Sequence, residues 1–438
     1  MSPITIGIIA VIVFFIFLCL RVPIAVAMGL VGAVGFAVLT SPTAAYRMVV
    51  SEIYSTFSSY TLSVIPMFVW MGFLAYYSGI GAGLYDFAYK LMGHLPGGLA
   101  IATQGTCALF GAICGSNTAT AATIGAIALP EMRKYKYDDS LSTASVAAGG
   151  ALGILIPPSV IFIVYGIATE QSIERLFLAG ILPGLLLMAL YMLTIYALTV
   201  RHPEQGPPGA KSSWRERIGA LRGGLIEVLV IFTLSLCGLF AGWFTPTEAG
   251  AIGAAGVLVV AMIEKRMNWD KFFKSLADTT RTSAMIMLLV AGAVIFSRFI
   301  AVSRLPFAMA TWAGSLALPP IVILMIIMVI YFILGCFIDA LALILLTIPI
   351  FYPVVVEVLG YDPIWFGVIS VLVVAMGVIT PPVGMNVFII KGVAKDIPLE
   401  TIFKGVWPFV AALTACILLL LIFPRIATVL PSMILGAG

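Results

Sequence analysis

The fold is decided by Gly149-Gly150-Ala-Leu-Gly153-Ile-Leu-Ile-Pro157-Pro158-Ser159, a stretch that interrupts an otherwise apolar segment. Proline lacks a backbone donor and its ring clashes with the carbonyl four residues earlier, so a helix breaks at the double proline. Non-helical backbone survives at membrane depth only where it is buried in protein or lines a water-filled cavity. The same device returns as Gly377-Val-Ile-Thr380-Pro381-Pro382. Paired interruptions in corresponding places of two halves indicate a transporter's binding site.

Composition places the whole chain in the membrane class. Of its 438 residues, 62% are hydrophobic and only 10% are charged, which excludes an ordinary soluble protein. Apolar runs of spanning length predict an all-α polytopic membrane protein with about ten spanning helices. The net charge of +4 does not indicate nucleic-acid binding, because basic residues set topology in such a chain.

Sequence motifs of enzymes are missing from the chain. It contains no GxxxxGK[ST], HExxH or GxSxG motif, so we predict neither an ATPase nor a hydrolase, and no catalytic residue. Its six cysteines fall in apolar segments without CxxC spacing, which favours small apolar residues over ligands of a transition metal.

An internal repeat relates the two halves of the chain. At a fixed offset of 224 residues, Gly111 falls on Gly335, Gly153 on Gly377 and one double proline on the other. Each repeat is predicted to hold a re-entrant hairpin and then a broken helix. The predicted division is an additional N-terminal span at 1–20, repeat 1 at 21–200 (hairpin 97–135, broken helix 140–170), a cytoplasmic linker at 201–222, a connecting span at 223–243, repeat 2 at 244–424 (hairpin 319–357, broken helix 363–392) and a C-terminal tail at 425–438.

Basic residues predict the orientation in the bilayer. If Arg133, Lys134 and Lys136 are cytoplasmic, counting spans places 18 Lys and Arg residues inside and 5 outside, as the positive-inside rule expects. The first hairpin then enters from the cytoplasm and the second from outside, so the repeats are inverted and both chain ends are periplasmic. Segments 82–93 and 268–280, rich in charged and aromatic residues, are predicted to be interfacial helices.

Polar residues at the predicted hairpin tips are candidate cation ligands. Ser116-Asn117-Thr118 offers hydroxyl and amide oxygens that suit Na⁺, although Ser and Asn also serve ordinary turns. Thr380 and Asn386 flank the second break in a matching role. Asp339 lies inside the second hairpin, where an intramembrane carboxylate indicates function, or else the cap of a half-helix.

The chain resembles the large membrane subunit, the DctM-like permease, of tripartite ATP-independent periplasmic (TRAP) transporters over nearly its whole length. Six motifs carry the resemblance: Gly111-Ala-Ile-Cys-Gly-Ser-Asn-Thr-Ala-Thr, Gly153-Ile-Leu-Ile-Pro-Pro-Ser, Phe244-Thr-Pro-Thr-Glu-Ala-Gly, Gly335-Cys-Phe-Ile-Asp, Asp362-Pro-Ile-Trp-Phe-Gly and Gly377-Val-Ile-Thr-Pro-Pro-Val-Gly-Met-Asn.

The resemblance implies a bacterial inner-membrane symporter that imports an organic acid with Na⁺, uses no organic cofactor and works by an elevator mechanism in a fold similar to the ion transporter superfamily. It implies two partners, a periplasmic substrate-binding protein and a small four-helix membrane subunit. Because the chain begins almost directly with the first repeat, we expect the small subunit to be a separate chain.

The resemblance also implies the site residues. The implied Na⁺ positions are Ser116, Asn117, Thr118, Gly335, Asp339, Thr380 and Asn386, and the implied substrate region is Gly149, Gly150, Pro157, Pro158, Pro381 and Pro382. The second hairpin has Cys336-Phe337-Ile338 in place of Ser-Asn-Thr, so we expect backbone carbonyls to supply most of the Na⁺ ligands there.

Several alternatives stay open at this stage. The carboxylate substrate could be a C4-dicarboxylate, a sugar acid or sialic acid. The runner-up function is a stand-alone carboxylate carrier or antiporter, coupled to Na⁺ or H⁺, that needs no binding protein. Under the first reading, segments 97–170 and 319–392 form a mobile transport domain inside a fixed scaffold.

Overall fold

The computed structural model describes residues 2–315 and 318–436, and these form helices joined by short connections, with no strand in that part of the chain. Among the described residues, 8 helical segments are long and apolar enough to cross a membrane. The all-α class and the multi-pass membrane character predicted from composition are therefore confirmed.

The chain begins with helices that precede the first hairpin. They are α1 (Pro3–Cys19), α2 (Ile24–Leu39), α3 (Pro42–Ser58), α4 (Val64–Ser78) and α5 (Ile80–Met92). The start of α3 shows why they begin where they do. Ser41 accepts a hydrogen bond from the amide of Ala44 at 3.2 Å, and Pro42 occupies the first helical position, where its missing N–H costs nothing.

The first hairpin and broken helix form a unit that we call unit 1. It consists of α6 (Gly98–Cys114), α7 (Asn117–Lys134), α8 (Asp139–Gly150), α9 (Leu152–Leu155) and α10 (Val160–Thr169). Gly115 has φ +62° between α6 and α7, a left-handed conformation that suits glycine and reverses the chain. Pro157 and Pro158 lie in the gap between α9 and α10, so the helix breaks where the double proline requires it.

The middle of the chain joins the two halves. Its helices are α11 (Ile173–Arg201), α12 (Trp214–Ala220), α13 (Ile226–Phe232) and α14 (Gly238–Phe240). A wider helical turn at Thr233–Cys237 joins α13 to α14, whereas Leu221–Leu225 contains a kink at Gly224, whose φ is +155°. The predicted linker therefore meets the connecting span at a bend.

The second half contains a matching unit, which we call unit 2, between flanking helices. The flanking helices are α15 (Pro246–Ile263), α16 (Trp269–Val302), α17 (Leu305–Ser315), α22 (Leu399–Ile422) and α23 (Arg425–Leu435). Unit 2 consists of α18 (Pro320–Gly335), α19 (Ala340–Tyr352), α20 (Pro363–Gly377) and α21 (Met385–Val393). Both double prolines contain a cis peptide bond.

One helix differs from its prediction. The sequence predicts an interfacial helix at 268–280 followed by a separate span, whereas α16 runs unbroken through both. Between Trp269 and Val302 there is no proline and a single glycine, Gly292, so no residue ends the helix at the predicted boundary.

The two units interlock in the same way. In unit 1, α6 packs on α8 and α9, and in unit 2, α18 packs on α20. Each unit also reaches into the other, because α7 packs on α21 and α19 packs on α10. A Cβ on Gly111 would lie 2.7 Å from Gly153 Cα, and one on Gly377 would lie 2.5 Å from the carbonyl carbon of Gly335, so these helices touch backbone to backbone.

A group of helices that we call the frame borders the units. It comprises α2 along α16, and α15 along α4, with α4 also packed on α16. Unit 1 meets the frame where α6 and α10 contact α4, and unit 2 meets it where α19 contacts α16. The hairpin tips therefore face the frame across the middle of the molecule.

Candidate functional site

The tip of the first hairpin is built from three consecutive polar residues. Ser116 is the N-cap of α7, and its hydroxyl accepts from the amide of Ala119 at 3.4 Å and lies 3.1 Å from the hydroxyl of Thr118. Such a cap satisfies amides that the first turn of a helix leaves free. Asn117 follows and is buried, with 6% of its surface exposed.

The structure joins this tip to the second break. Asn117 donates from Nδ2 to Oδ1 of Asn386 at 3.2 Å, and Asn386 donates from its own Nδ2 to the carbonyl of Ala147 at 3.0 Å. The backbone amide of Asn386 also donates to the carbonyl of Val378 at 3.0 Å, which bridges the second break. Two candidate residues 269 positions apart, one from each unit, are therefore in contact.

The glycines before the first break have different surroundings. Gly150 faces the asparagine pair, since a Cβ there would lie 2.9 Å from Asn386 Nδ2 and 3.1 Å from the carbonyl oxygen of Asn117. Gly149 faces the other way, where a Cβ would lie 2.7 Å from Sγ of Cys107 on α6. Only Gly150 of the two borders the asparagines.

Sequence reasoning missed a further oxygen beside the tip. The hydroxyl of Thr120 is fully buried and has no hydrogen-bond partner among the described residues. A Cβ on Gly153 would lie 2.5 Å from that hydroxyl and 2.8 Å from the carbonyl oxygen of Ser116, so both oxygens lie close to the backbone of Gly153. The signal was present in the sequence, because Thr120 is four residues after Ser116 and on the same helix face.

The tip of the second hairpin has a different chemistry. Asp339 is the N-cap of α19 and accepts from the amide of Leu341 at 3.1 Å, so its capping role is observed. Gly335 packs against Gly377 and not against the asparagine pair. Thr380 is buried and donates from its hydroxyl to the carbonyl of Met376 at 2.6 Å.

The two double prolines differ in their surroundings. Pro157 and Pro158 are buried, whereas Pro381 is half-buried and Pro382 is exposed. In the first break, Ser159 donates from its hydroxyl to the carbonyl of Ile154 at 2.6 Å, which satisfies a carbonyl that the break frees. The first break is thus closed within protein, and the second reaches the surface.

A cavity of about 490 Å³ lies between the two hairpin tips and the frame. Its walls include Ser116, Asn117 and Thr118 from the first tip, Asp339, Ala340 and Leu341 from the second, and Tyr77 and Asp278 from α4 and α16. Its volume falls in the range of small-molecule sites. No lysine or arginine in the described part of the chain lines it, so the positive charge available there comes from the N-terminus of α7, since Asp339 caps α19.

A helix cap lies away from the cavity, at an acidic residue of a shared motif. At the start of α15, Thr245 accepts from the amide of Glu248 at 3.3 Å, and Oε2 of Glu248 accepts from the amide of Thr245 at 2.8 Å. This reciprocal pair is a capping box, which accounts for an acidic residue at the start of an apolar helix. Glu248 does not line the cavity.

Comparison with known families explains the shared motifs. Residues 11–426 match the family described as "Tripartite ATP-independent periplasmic transporter, DctM component". The chain belongs to this family. This TRAP large permease is therefore a subunit of a transporter and not an enzyme.

Individual relatives support the same family. The chain is 36% identical to the C4-dicarboxylate TRAP transporter large permease protein DctM of Pseudomonas aeruginosa, over 92% of this chain and 93% of that protein. It is 33% identical to the sialic acid TRAP transporter large permease protein SiaM of Vibrio cholerae, over 93% of this chain and 94% of that protein.

A solved structure shows a similar fold. The Alcanivorax borkumensis YdaH transporter superposes on this TRAP large permease with a TM-score of 0.63, covering 96% of this chain and 98% of that one. The two are 16% identical in sequence. The likeness concerns the arrangement of helices alone.

Proposed function

We propose that this TRAP large permease translocates an organic acid into a bacterial cell, across the inner membrane, together with Na⁺. It receives the acid from a periplasmic binding protein and works with a small membrane subunit. The names of its relatives, which specify C4-dicarboxylate and sialic acid, support an organic acid as the substrate class. The tripartite family to which it belongs supports the two partners.

The observation that carries the proposal is the oxygen-rich contact between α7 and α21. The hydroxyl of Thr120, which has no partner among the described residues, and the carbonyl of Ser116 both lie beside Gly153, and the amides of Asn117 and Asn386 meet close by. Hydroxyl, amide and carbonyl oxygens are hard ligands that suit a hard cation. A buried oxygen without a partner is costly, and a bound cation would remove that cost.

The hairpin tips supply the site for the acid. Both α7 and α19 begin at the cavity wall, at Asn117 and Ala340, but the carboxylate of Asp339 already caps α19. Helix N-termini carry partial positive charge and free amides, so they bind carboxylates. Because no basic side chain among the described residues lines the cavity, the N-terminus of α7 and the nearby cation are the groups that hold the substrate's carboxylate.

Coupling follows because the two sites share the first tip. The carbonyl oxygen of Ser116 lies beside Gly153, as the hydroxyl of Thr120 does, and Ser116 also lines the cavity. A cation that orders this tip therefore prepares the cavity for the acid, and the acid raises the affinity for the cation by the same factor. Na⁺ and the acid then bind together more strongly than either binds alone.

The interlocked units 1 and 2 are the mobile transport domain of this mechanism. Their glycine contacts and crossed helix pairs make them one packed body, while the cavity separates their tips from α4 and α16 of the frame. Movement of that body past the frame carries the cavity from one side of the membrane to the other. This motion is the elevator that the proposal requires.

Thermal unfolding of the purified full-length chain in NaCl against KCl, at equal ionic strength, tests the proposal. A ligand that binds only the folded state adds roughly 2.7 kcal/mol at a hundredfold excess over its dissociation constant. We expect a higher unfolding midpoint in NaCl for the wild-type chain and loss of that difference in Asn117→Ala.

The control for this measurement is Asn268→Ala, which removes the same side chain from the N-cap of α16. It lowers the midpoint in both salts equally, because the cap is lost and the cation site is kept. Equal midpoints of the wild-type chain in the two salts, or a full sodium effect in Asn117→Ala, would contradict the proposal.

A further inference from the structure

The wall of the cavity opposite the hairpin tips carries a carboxylate. Asp278 on α16 and Tyr77 on α4 both line the cavity that Ser116 and Asp339 line from the other side. The hydroxyl of Tyr77 donates to Oδ2 of Asp278 at 2.5 Å. This contact joins two frame helices and holds the carboxylate in place at the cavity wall.

Asp278 retains capacity for a ligand. An ionised carboxylate has two acceptor oxygens, and Tyr77 occupies only Oδ2. Lys274, one turn earlier on α16, pairs instead with Asp270 at 2.7 Å, and no salt bridge to Asp278 occurs within the residues the structure describes. The free oxygen therefore has room for a donor that arrives through the cavity.

The charges on the cavity wall are unevenly distributed. The N-terminus of α7 favours an anion beside Ser116, whereas the carboxylates of Asp278 and of Asp339, which caps α19, disfavour an anion beside them. Among the residues that the structure describes, no lysine or arginine lines the cavity to compensate a second negative charge. A ligand with a carboxylate at one end and a hydrogen-bond donor at the other matches this distribution of charge.

We propose that Asp278 is a specificity-determining residue, which selects acids whose far end carries a hydroxyl or ammonium group and rejects acids with a second carboxylate. This inference rests on the proposed function, because it takes the cavity as the substrate site. A hydroxyl or ammonium donates to the free oxygen of Asp278, and a charge-assisted bond of that kind is strong. A second carboxylate meets an anion without a partner, which is a repulsive element of the kind that produces specificity.

Two pairs of acids that differ only at the far end test this inference. Gluconate ends in a hydroxymethyl group where glucarate ends in a carboxylate, and 4-aminobutanoate ends in an ammonium group where succinate ends in a carboxylate. Dissociation constants are measured from the thermal stabilisation of the purified full-length chain by each acid, in NaCl and in KCl. We expect the first member of at least one pair to bind roughly tenfold more tightly than its dicarboxylate, in NaCl only.

Two substitutions at Asp278 sharpen the test. Asp278→Asn keeps an oxygen for Tyr77 but removes the charge, so the preference within the binding pair falls by roughly tenfold. Asp278→Lys places a cation at the same wall and reverses the preference toward the dicarboxylate. Asp270→Asn, on the same helix but outside the cavity, leaves the preference unchanged.

The outcomes separate this inference from the proposed function. If a dicarboxylate binds as tightly as its partner in NaCl, or if Asp278→Asn leaves the preference intact, the role of Asp278 is wrong while sodium-coupled binding stands. If none of the four acids stabilises the chain in a sodium-dependent way, both proposals fail.

Discussion

The two places where units 1 and 2 cross have the same helix arrangement and opposite chemistry. Where α7 crosses α21, buried Asn117 and Asn386 are hydrogen-bonded at 3.2 Å. Where α19 crosses α10, the residue equivalent to Asn117 at the offset of 224 residues is Leu341. The first turn of α10 is the apolar run Val160-Ile161-Phe162. All four of these apolar residues are buried.

This difference shows that the same helix arrangement can hold either a polar or an apolar crossing. An apolar crossing can be repacked with residues of similar volume at modest cost. A buried polar crossing must satisfy every donor and acceptor, or bind something that does. We therefore assign ligation to the α7–α21 crossing and packing to the α19–α10 crossing, and the predictions below test that division.

The largest effect is expected at the glycines that precede the two breaks. A Cβ on Gly377 would meet only backbone of unit 2, with the carbonyl carbon of Gly335 at 2.5 Å and its Cα at 2.7 Å. Backbone cannot rotate away, so Gly377→Ala should lower the free energy of unfolding in KCl by about 1–3 kcal/mol. The sodium-dependent increment should persist.

The matching substitution in unit 1 should differ in its sodium dependence. A Cβ on Gly153 would lie 2.5 Å from the hydroxyl of Thr120, which can rotate, and 2.8 Å from the backbone carbonyl oxygen of Ser116, which cannot. Gly153→Ala should therefore also lower stability in KCl, but it should abolish the sodium effect because it displaces two candidate ligand oxygens. Chemical unfolding in both salts measures the two quantities. Gly392→Ala on α21, which meets no atom within 4 Å, is the control.

The same sodium dependence in Gly153→Ala and Gly377→Ala would contradict the division of roles between the two crossings. Loss of the sodium effect in both variants would place ligation at both crossings. Retention of the effect in both would mean that Thr120 and the carbonyl of Ser116 do not bind the cation.

Local features of the fold could be predicted from the sequence because their causes are local. Pro157-Pro158 breaks a helix wherever it lies, and the four residues from Thr245 to Glu248 hold both partners of their capping box. The turn at Gly115 likewise needs only its own backbone freedom. Each of these features follows from neighbouring residues alone and requires no knowledge of distant contacts.

Contacts across the molecule could not be predicted in the same way. The bond between Asn117 and Asn386 depends on how α7 and α21 cross, and the position of Asp278 on the cavity wall depends on how α16 packs beside α4. Burial of the Thr120 hydroxyl is also a tertiary property, because it depends on which helices pack against α7. Sequence pattern identified candidate oxygens, and only the fold showed which of them meet.

The two hairpin tips supply a prediction of intermediate size. Ser116 and Asp339 are both N-caps, so Ser116→Ala and Asp339→Ala should each lower the free energy of unfolding in KCl by about 1 kcal/mol. Asparagine caps as well as aspartate does, so Asp339→Asn should keep the wild-type value. Urea unfolding of the four proteins in KCl measures these differences.

The same variants also distinguish capping from a requirement for negative charge at the second tip. If Asp339→Asn is as unstable as Asp339→Ala, the negative charge itself is required at the second tip and capping does not account for it. A sodium effect that falls in Asp339→Asn while stability in KCl is unchanged would add the second tip to the cation site.

The smallest effect is expected at the outer end of the α7–α21 crossing. Arg133 at the end of α7 donates to Asp396, in the loop after α21, at 2.6 Å. The offset of 224 residues places Glu357 in the wider helical turn Pro353–Val358 that follows α19, and no salt bridge to it occurs within the described ranges 2–315 and 318–436. The ion pair therefore belongs to the polar crossing alone.

The pH dependence of this pair follows from the shift at its carboxylate. The Arg133 guanidinium, through its hydrogen bond, holds the pKa of Asp396 below its ordinary range. A carboxylate with a lowered pKa in the folded state stabilises that state above its unfolded pKa of about 3.9, and this stabilisation disappears as the pH falls through the folded pKa. Asp396→Asn should therefore lower the unfolding midpoint slightly at about pH 7 and leave it unchanged at a pH below the folded pKa of Asp396.

Salt provides an independent check on the same variant. Both partners are largely exposed, so salt screens the pair and the difference between Asp396→Asn and the wild-type chain should shrink as KCl is raised. Asp86→Asn removes an exposed aspartate that pairs with Lys90 within α5 and joins no two units, so it is the matched control. A larger loss in Asp396→Asn than in Asp86→Asn would show that the pair fastens α7 to α21. Equal losses would mean that the polar crossing is held by its asparagines and by packing, with no contribution from its charged end.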